Sequence, residues 1–296
     1  MLDPALMLAT NMIPCEDGHA QERSLSPEIL ALVEANDVWI ADRNFCTFKL
    51  LSGIVERKAF FCIRRHANMT VVSSGTLRAV GETETGQVFE QAVTITTAEG
   101  GSLKVRRIVL RLNKTTRDGD TEVAILTNLP KSAADAMGVA VLYRNRWRLE
   151  TLFQSLTTMF QGELATLGYP QAALFGFGVA LAAYNILSTV QAALRAEFGV
   201  EKVQEEVSGY YVANEVRAMA SGMAIAVEPL HWAAFQKMNP TALAKELRGW
   251  ATHVKLHKLK RHPRGPKKPA PKRTQHVESP HVSTAQVLAK SRRKVG

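Results

Sequence analysis

Apolar and polar residues follow three successive patterns along this chain. Residues 24–36, SLSPEILALVEAN, carry apolar side chains at helical spacing, with Ser26 as the expected N-cap and Pro27 at the first helical position. The next run, VWIADRNF, is a short burst of β-branched and aromatic residues that stops at an acid, which is typical of a buried strand. The opening segment is therefore predicted to contain strand, helix and strand.

A strand-rich block follows, from about Phe60 to Leu129. Four segments have strand-like patterns: AFFCIRRH, QAVTITT, LKVRRIVLRLN and EVAILTNL. They alternate with the turn-like segments GETETGQ, AEGGS and TRDGD. This pattern predicts a β-rich module.

From Ser132 onward the pattern is helical. Ser132 followed by Asp135 resembles a capping box, and residues 132–160 and 170–198 are predicted as two helices. Further helix is predicted within EEVSGYYVANEVRAMASG and TALAKELRGWATHVKLHKL. The second half of the chain is thus predicted to be helical.

One helical segment is long enough to span a bilayer, because no charged residue occurs between Glu163 and Arg195. Its polar residues, its start at Pro170 and the lack of a second comparable segment argue against insertion. We therefore expect a buried core helix after Pro170 and no membrane partner.

The charge is concentrated at the C-terminal end. The chain has 37 Lys+Arg against 27 Asp+Glu, a formal net charge of +10. Residues 255–296 carry +12 of it, so the remainder carries −2. Since the tail is also rich in proline and poor in large apolar residues, it is predicted to be disordered and to attract nucleic acid.

Cysteine usage and the N-terminal sequence bear on the compartment. Three cysteines without a close pair fit neither a disulfide framework nor a four-ligand zinc site. The N-terminal residues lack the basic start and apolar run of a signal peptide. A cytoplasmic protein, associated with the nucleoid when bound to DNA, is expected.

The first candidate for chemistry is Asp42, which ends the apolar run VWIA. A carboxylate at the end of a buried strand is well placed to hold a divalent cation at the rim of an α/β sheet. The same acid could instead cap the following turn. Local sequence does not decide between these interpretations.

The second candidate is the segment YRNRWRLETLF. On a continuous helix Tyr143, Arg146 and Glu150 would share one face. Such a face could bind a cation through the carboxylate and phosphate through the guanidinium and phenol groups. A solvated face with an Arg146–Glu150 ion pair is the alternative.

Other candidates have weaker support. His19 and Glu22 are expected in a hydrogen-bonded turn, and His66 at a basic strand end near DNA. The four tryptophans are too far apart in sequence to predict a stacking platform.

The spacing Tyr, two residues, Arg, three residues, Glu resembles the signature of the insertion-sequence-4 family of bacterial DDE transposases. Four other segments resemble phrases of that family: EDGHAQERS, WIADRNFCT, FFCIRRH and TLGYPQAALFGFGVALAAYNIL. These segments are spread along the chain, so the resemblance covers most of residues 1–200.

This resemblance implies an α/β fold with an RNase-H-like catalytic core, interrupted by a β-rich insertion between the second and third catalytic acids. Asp42 would be the second acid and Glu150 the third, and both would ligate Mg²⁺ or Mn²⁺ for cutting and joining DNA. Tyr143 and Arg146 would bind backbone phosphate at the transposon ends. A homodimer is a further expectation.

The expected domain organisation follows from the resemblance and the patterns together. Residues 1–66 would form the first part of the core and residues 67–130 the β-rich insertion. Residues 131–254 would form the helical part, and residues 255–296 the basic disordered tail.

Two positions depart from the family pattern. Asp3 matches the first catalytic Asp poorly, so the chain is expected to be the C-terminal part of a transposase, inactive alone. Thr157 stands where the family has a phosphate-binding Lys, with Gln154 or Gln161 as partial substitutes. The alternative is a non-catalytic DNA-binding remnant that acts through the basic tail and the Arg-rich β block.

Overall fold

The computed structural model describes residues 1–15, 22–97, 99–116, 119–159 and 170–262, without the side chains of residues 154, 156–159, 170 and 221. His19, Gln161 and residues 263–296 of the predicted tail lie outside the described residues, as do the side chains of Gln154 and Thr157.

The first third of the chain forms short strands and helices, as its pattern predicts. Its elements are β1 (Leu2–Asp3), β2 (Leu8–Ala9), α1 (Ser26–Ala31), β3 (Val38–Ala41), α2 (Phe48–Glu56) and β4 (Phe60–Arg64). The strand predicted at VWIA is therefore confirmed, and it ends immediately before Asp42. Helix α2 connects β3 to β4, which pair in parallel.

The strand-rich block is also confirmed. It contains β5 (Val71–Ser73), β6 (Arg78–Thr83), β7 (Gly86–Thr96), β8 (Ser102–Leu112) and β9 (Glu122–Thr127). These strands join β3 and β4 in one seven-stranded sheet of order β3-β4-β9-β8-β7-β5, with β6 also paired to β7. The boundary expected at residues 66 and 67 therefore falls inside a continuous sheet.

Strand β4 shows how the sheet separates two layers of core. Phe61 and Ile63 are fully buried with the apolar side chains of α1 and α2. Cys62 points to the other face and packs with side chains from α3, because successive residues of a strand face opposite sides. Arg64, two positions after Cys62 at the end of β4, therefore lies on the face of the sheet against which α3 packs.

The turn between β6 and β7 depends on one glycine. Gly86 begins β7 with φ of 152°. A Cβ atom there would collide with the backbone carbonyl of Arg111 on the neighbouring strand β8. Gly86 therefore permits a close approach of two backbones that a side chain would prevent.

The second half is helical, but its elements differ from the prediction in detail. It contains α3 (Ala136–Arg144), α4 (Trp147–Met159), α5 (Pro170–Phe198), α6 (Val200–Glu206), α7 (Gly209–Ala226), α8 (Pro229–Gln236) and α9 (Pro240–Ala251). The helix predicted over residues 170–198 is confirmed. The single helix predicted over residues 132–160 is wrong, since the chain divides into α3 and α4.

Both predicted serine caps are also wrong. The N-cap of α3 is Asp135, whose side chain accepts a hydrogen bond from the Gly138 amide at 2.7 Å. Ser26 lies inside α1 and its hydroxyl donates to the carbonyl of Arg23 at 2.6 Å. Helix α3 thus starts after the carboxylate of Asp135, and α1 directly continues a 3₁₀ turn over Glu22–Leu25.

Helix α5 is less buried than its composition predicts. Tyr184 and Leu187 are buried, whereas Phe175, Val179 and Ile186 are 75%, 53% and 64% exposed. Only 17% of its most apolar window is buried, so the expected core helix is buried along one narrow face. In the described part of the chain, α5 is the one helix whose length and apolar composition would allow it to cross a membrane.

Two sets of long-range contacts attach the first residues and residues 259–261 to the helices. The side-chain amide of Asn185 in α5 bonds both the N–H and the C=O of Ala9, at 2.8 and 2.9 Å, and so holds the β1–β2 hairpin. Near the other end, Leu259 is buried and the Arg261 side chain donates to the carbonyl of Val207. The boundary expected at residue 255 thus falls within a packed segment.

Candidate active site

Asp42 lies at the edge of the sheet where the parallel strands β3 and β4 end. The last registered pair of these strands is Ala41 with Ile63, so Asp42 and Arg64 are the next neighbours along the two strands. The Asp42 carboxylate accepts a hydrogen bond from the Asn44 amide at 2.8 Å and caps a 3₁₀ turn. The interpretation of Asp42 as a turn cap is therefore confirmed, and the cation interpretation stays a prediction that uses the second carboxylate oxygen.

Tyr143 approaches this edge from α3. Its ring packs with the side chains of the second face of the sheet, and the residue is only 8% exposed. Burial raises the pKa of the Tyr143 hydroxyl to about 12, an effect that the cations of Arg146 and Arg64 oppose and that Asp42 reinforces. The hydroxyl is therefore protonated at neutral pH and lies within electrostatic range of Asp42, Arg64 and Arg146.

The chain bends between Tyr143 and Arg146. Helix α3 ends at Arg144, and α4 begins at Trp147. The connecting amides bond three residues back instead of four, with Arg146 N donating to Tyr143 O at 3.1 Å. The shared face expected on one continuous helix is therefore wrong, and Tyr143 and Glu150 belong to different helices.

Arg146 nevertheless connects the two helices. Its Nη1 lies 2.9 Å from Oε1 of Glu150, so the ion pair considered as an alternative is present. The guanidinium lies 4.9 Å from the centroid of the Trp147 ring, and its buried Nε has no hydrogen-bond partner. Arg146 is thus positioned over an aromatic ring and paired with Glu150.

The chemistry of the Asp42 and Glu150 carboxylates suits a divalent cation. Mg²⁺ is commonly held by one or two carboxylates, with water and substrate phosphates completing its octahedron. Glu150 has a side chain that is 49% exposed, and Asp42 is half-buried at the rim. Within the described part of the chain, no three His, Cys, Asp or Glu side chains are grouped as a metal site.

Asp3 is engaged elsewhere. Its Oδ1 accepts hydrogen bonds from the amides of Ala5 and Leu6, at 2.8 and 3.0 Å, so the carboxylate caps the turn of the β1–β2 hairpin. The side chain of Arg148 in α4 donates to the carbonyl of Pro4 in the same turn. The hairpin that contains Asp3 is therefore attached to the helix that contains Glu150.

A basic cleft of about 260 Å³ lies beside Asp42 and was not predicted. Its charged lining comes from the 3₁₀ turn, the end of β4 and the hairpin between β8 and β9: Arg43, Arg64, Arg65, His66, Asp120 and Glu122. The segment FFCIRRH suggested a basic strand end, but nothing in the local pattern of TRDGD pairs Asp120 with an arginine 56 positions earlier.

Two of the four tryptophans lie close to one phenylalanine ring. Trp232 and Trp250 both contact Phe235, with ring centroids 6.3 and 5.5 Å apart, although α8 and α9 place them 18 positions apart in sequence. These contacts are tilted and T-shaped, so the expectation that the tryptophans form no stacking platform stays a prediction. The cluster lies on the C-terminal helices and belongs to a different part of the fold from Asp42.

Comparisons with known proteins agree on one family. The family described as Transposase DDE domain matches residues 7–186, which is more than half of the chain. A protein of Sinorhizobium fredii (strain NBRC 101917 / NGR234) named "Putative transposase y4zB" is 35% identical over 124 residues, or 41% of this chain and 33% of that protein. The chain thus matches about a third of the length of that curated relative.

The architecture is compatible with this match. A mixed sheet with helices on both faces suits the RNase-H-like fold expected of DDE transposases, and the matched region contains Asp42, Tyr143, Arg146 and Glu150. The chain therefore belongs to the DDE transposase domain family.

Proposed function

We propose that this chain acts on DNA in a transposition reaction, and that the edge formed by β3, β4 and α3 is where it does so. The reaction class is divalent-metal-dependent phosphodiester hydrolysis and strand transfer at transposon ends. The observation that supports it most is that Asp42, Arg64 and Arg146 all act electrostatically on the buried Tyr143 hydroxyl. The Tyr143, Arg146, Glu150 spacing also fits the insertion-sequence-4 family.

Asp42 and Glu150 are the proposed ligands of Mg²⁺ or Mn²⁺. Such a cation, when bound, lowers the pKa of water and stabilises charge on phosphate oxygens. Asp42 has one oxygen committed to the Asn44 amide, and Glu150 has one committed to Arg146. Each carboxylate has a second oxygen as a donor to the cation.

Tyr143 and Arg146 are the proposed phosphate contacts. Because its pKa is raised to about 12, Tyr143 keeps its proton and can donate a hydrogen bond to a phosphate oxygen. Arg146 offers the guanidinium hydrogens that its ion pair with Glu150 does not use. These contacts would fix the position of the DNA backbone without reading its sequence.

Metal binding provides a test that does not depend on catalysis. We expect the chain to bind Mn²⁺, measured from the loss of the free-ion electron paramagnetic resonance signal, and Asp42→Asn and Glu150→Gln to weaken binding at least roughly tenfold each. Glu82→Gln is the control, because Glu82 is exposed on β6 and five strands away from β3 in the sheet. Equal Mn²⁺ affinity in all four proteins would exclude Asp42 and Glu150 as ligands.

Catalysis by the chain alone is a separate question. The expectation that it is inactive alone stays a prediction, as does the homodimer. A nicking and strand-transfer assay with Mg²⁺ or Mn²⁺ on DNA with terminal inverted repeats tests the first. Robust cleavage that Asp42→Ala abolishes would overturn the predicted inactivity and leave the proposed function intact.

The same variants distinguish a non-catalytic DNA-binding role from the transposase proposal. It requires DNA binding that neither Mn²⁺ nor Asp42→Asn changes. The transposase proposal instead expects Mn²⁺ to strengthen DNA binding in the unmodified chain and not in Asp42→Asn.

A further inference from the structure

The basic cleft beside Asp42 contains a carboxylate of the protein itself, that of Asp120. Asp120 follows the turn between β8 and β9, and its Oδ2 accepts hydrogen bonds from Arg64 Nη2 at 2.7 Å and from the Thr116 hydroxyl at 3.2 Å. The Arg64 side chain is 20% exposed and that of Asp120 is 31% exposed. The ion pair thus lies at the mouth of the cleft, where solvent and a large ligand can reach it.

Electrostatics connect this ion pair to the candidate active site. The hydrogen bond from Arg64 is the main cause that holds the pKa of Asp120 below its usual value, and Arg43 adds to it. Arg64 also acts on the Tyr143 hydroxyl. Arg43 adjoins Asp42 in sequence, so the cations that hold Asp120 border the proposed site on both strands.

The other groups of the cleft leave capacity for an anion. Arg65 donates through Nη2 to the carbonyl of Met69 at 3.2 Å, and its buried Nε has no partner. Glu122, the second acid, lies 4.0 Å from Arg107 on β8. Asp120 is therefore the carboxylate that occupies Arg64 directly.

Carboxylate and phosphodiester oxygens bind arginine in the same way. Both accept short, charge-assisted hydrogen bonds from the guanidinium fork. A phosphate in the position of the Asp120 carboxylate would therefore meet Arg64 with the geometry that this side chain already has, and Arg43 would attract it electrostatically.

We propose that the Arg43–Arg64 cleft is a binding subsite for a DNA backbone phosphate, and that Asp120 occupies it in the absence of DNA. This inference rests on the proposed function and adds a phosphate contact outside Tyr143 and Arg146. DNA must displace Asp120 from Arg64, so the Asp120 carboxylate weakens DNA binding. Removing its charge should strengthen DNA binding, the opposite of what a structural ion pair predicts.

The substitution Asp120→Asn tests the inference with little effect on the turn. Backbone hydrogen bonds hold that turn, since Thr116 N–H donates to Asp120 C=O at 2.9 Å and Gly119 N–H donates to Thr116 C=O at 3.0 Å. Affinity for a fluorescein-labelled DNA duplex of random sequence would be measured by anisotropy over a range of NaCl concentrations. We expect roughly three- to tenfold tighter binding at low salt, and a slope of log K against log salt that is steeper by about 0.9.

Two controls separate a specific effect from a general change of charge. Glu82→Gln makes the same change in net charge at an exposed position on β6 that does not line the cleft, and we expect less than about a twofold effect on affinity. In the double variant Arg64→Ala, Asp120→Asn, the gain in DNA affinity should disappear, because the guanidinium group that Asp120→Asn releases is absent.

The outcomes also separate this inference from the proposed function. If Arg64→Ala weakens DNA binding but Asp120→Asn behaves like Glu82→Gln, the chain binds DNA and Asp120 does not compete with it. A gain in Asp120→Asn that persists without Arg64 would likewise overturn the inference. If the unmodified chain and all variants fail to bind DNA, both proposals are wrong.

Discussion

Arg106 on β8 is expected to contribute strongly to the placement of the candidate site. Its Nε lies 2.7 Å from Oε1 of Glu90 on β7, and its Nη1 donates to the carbonyls of Leu129 and Ala134, each at 2.8 Å. Those two carbonyls belong to the connection between β9 and α3, the helix that contains Tyr143. Arg106 thus holds this connection against the sheet.

The substitution Arg106→Met should destabilise the protein by about 3–5 kcal/mol, the range for breaking a buried ion pair by removing one partner. The side chains of Arg106 and Glu90 are only 13% and 11% exposed, so solvent screens the pair little. After the substitution, Glu90 keeps its contact with Lys131, at 2.9 Å, whose own side chain is 71% exposed. Two backbone carbonyls also lose their donor.

The free energy of unfolding would be measured by urea denaturation followed by circular dichroism. We expect a lower midpoint with an unchanged m-value, since the folded core is retained. The double variant Arg106→Met, Glu90→Leu should be more stable than Arg106→Met alone, because it leaves no unpaired buried carboxylate. A loss below about 1 kcal/mol for Arg106→Met would refute the reasoning, because it would place the pair among ordinary surface salt bridges.

The same pair predicts a dependence on acid. Burial alone would raise the pKa of Glu90, but hydrogen bonds from Lys131 and Arg106 and their charges outweigh it and hold that pKa below its usual value. A lowered pKa in the folded state means that this contribution is present above the unfolded value of 4.5 and is lost as the pH falls through the folded value. As the pH is lowered below 4.5, the urea midpoint of the unmodified chain should decrease, and the midpoint of the double variant should decrease less.

Three further predictions concern single positions. Because burial raises the pKa of Tyr143 from 10 to about 12, the unmodified chain should lose about 2–3 kcal/mol of stability between pH 10 and 12, and Tyr143→Phe should remove that part of the loss in alkaline urea titrations. Gly86→Ala should cost about 2–4 kcal/mol of unfolding free energy, whereas Gly75→Ala, which meets no atom within 4 Å, should change it by less than about 1 kcal/mol. Glu150→Gln should shift stability by less than about 1 kcal/mol, because its ion pair with Arg146 is half-exposed, so a lost Mn²⁺ site in that variant would reflect ligation and not unfolding.

Much of the local structure could be predicted because it depends on short-range periodicity. The alternation in FFCIRRH and VWIA indicated β4 and β3, and the position of Asp42 at the end of β3 followed directly. The uncharged run after Pro170 indicated α5 with both ends. These features require only the neighbouring residues.

The candidate site was predicted only in part. Tyr143, Arg146 and Glu150 were recognised by spacing, and their arrangement depends on a bend at Asn145 and Arg146 that the helical pattern does not reveal. The position of that bend is set by packing of α3 on the sheet, where Tyr143 is buried, while α4 turns toward the β1–β2 hairpin through Arg148. Tertiary contacts override helix propensity at such points.

By itself, the sequence determined the secondary structure pattern, the concentration of positive charge after residue 254, and the types of residue available for chemistry. Only the tertiary structure decided that the β-rich block continues the core sheet, that α5 exposes much of its apolar surface, and that Asp120 pairs with Arg64. The physical reason is distance along the chain. Arg64 and Asp120 meet because β9 pairs antiparallel with β4, a contact between segments that no local pattern of apolar and polar residues encodes.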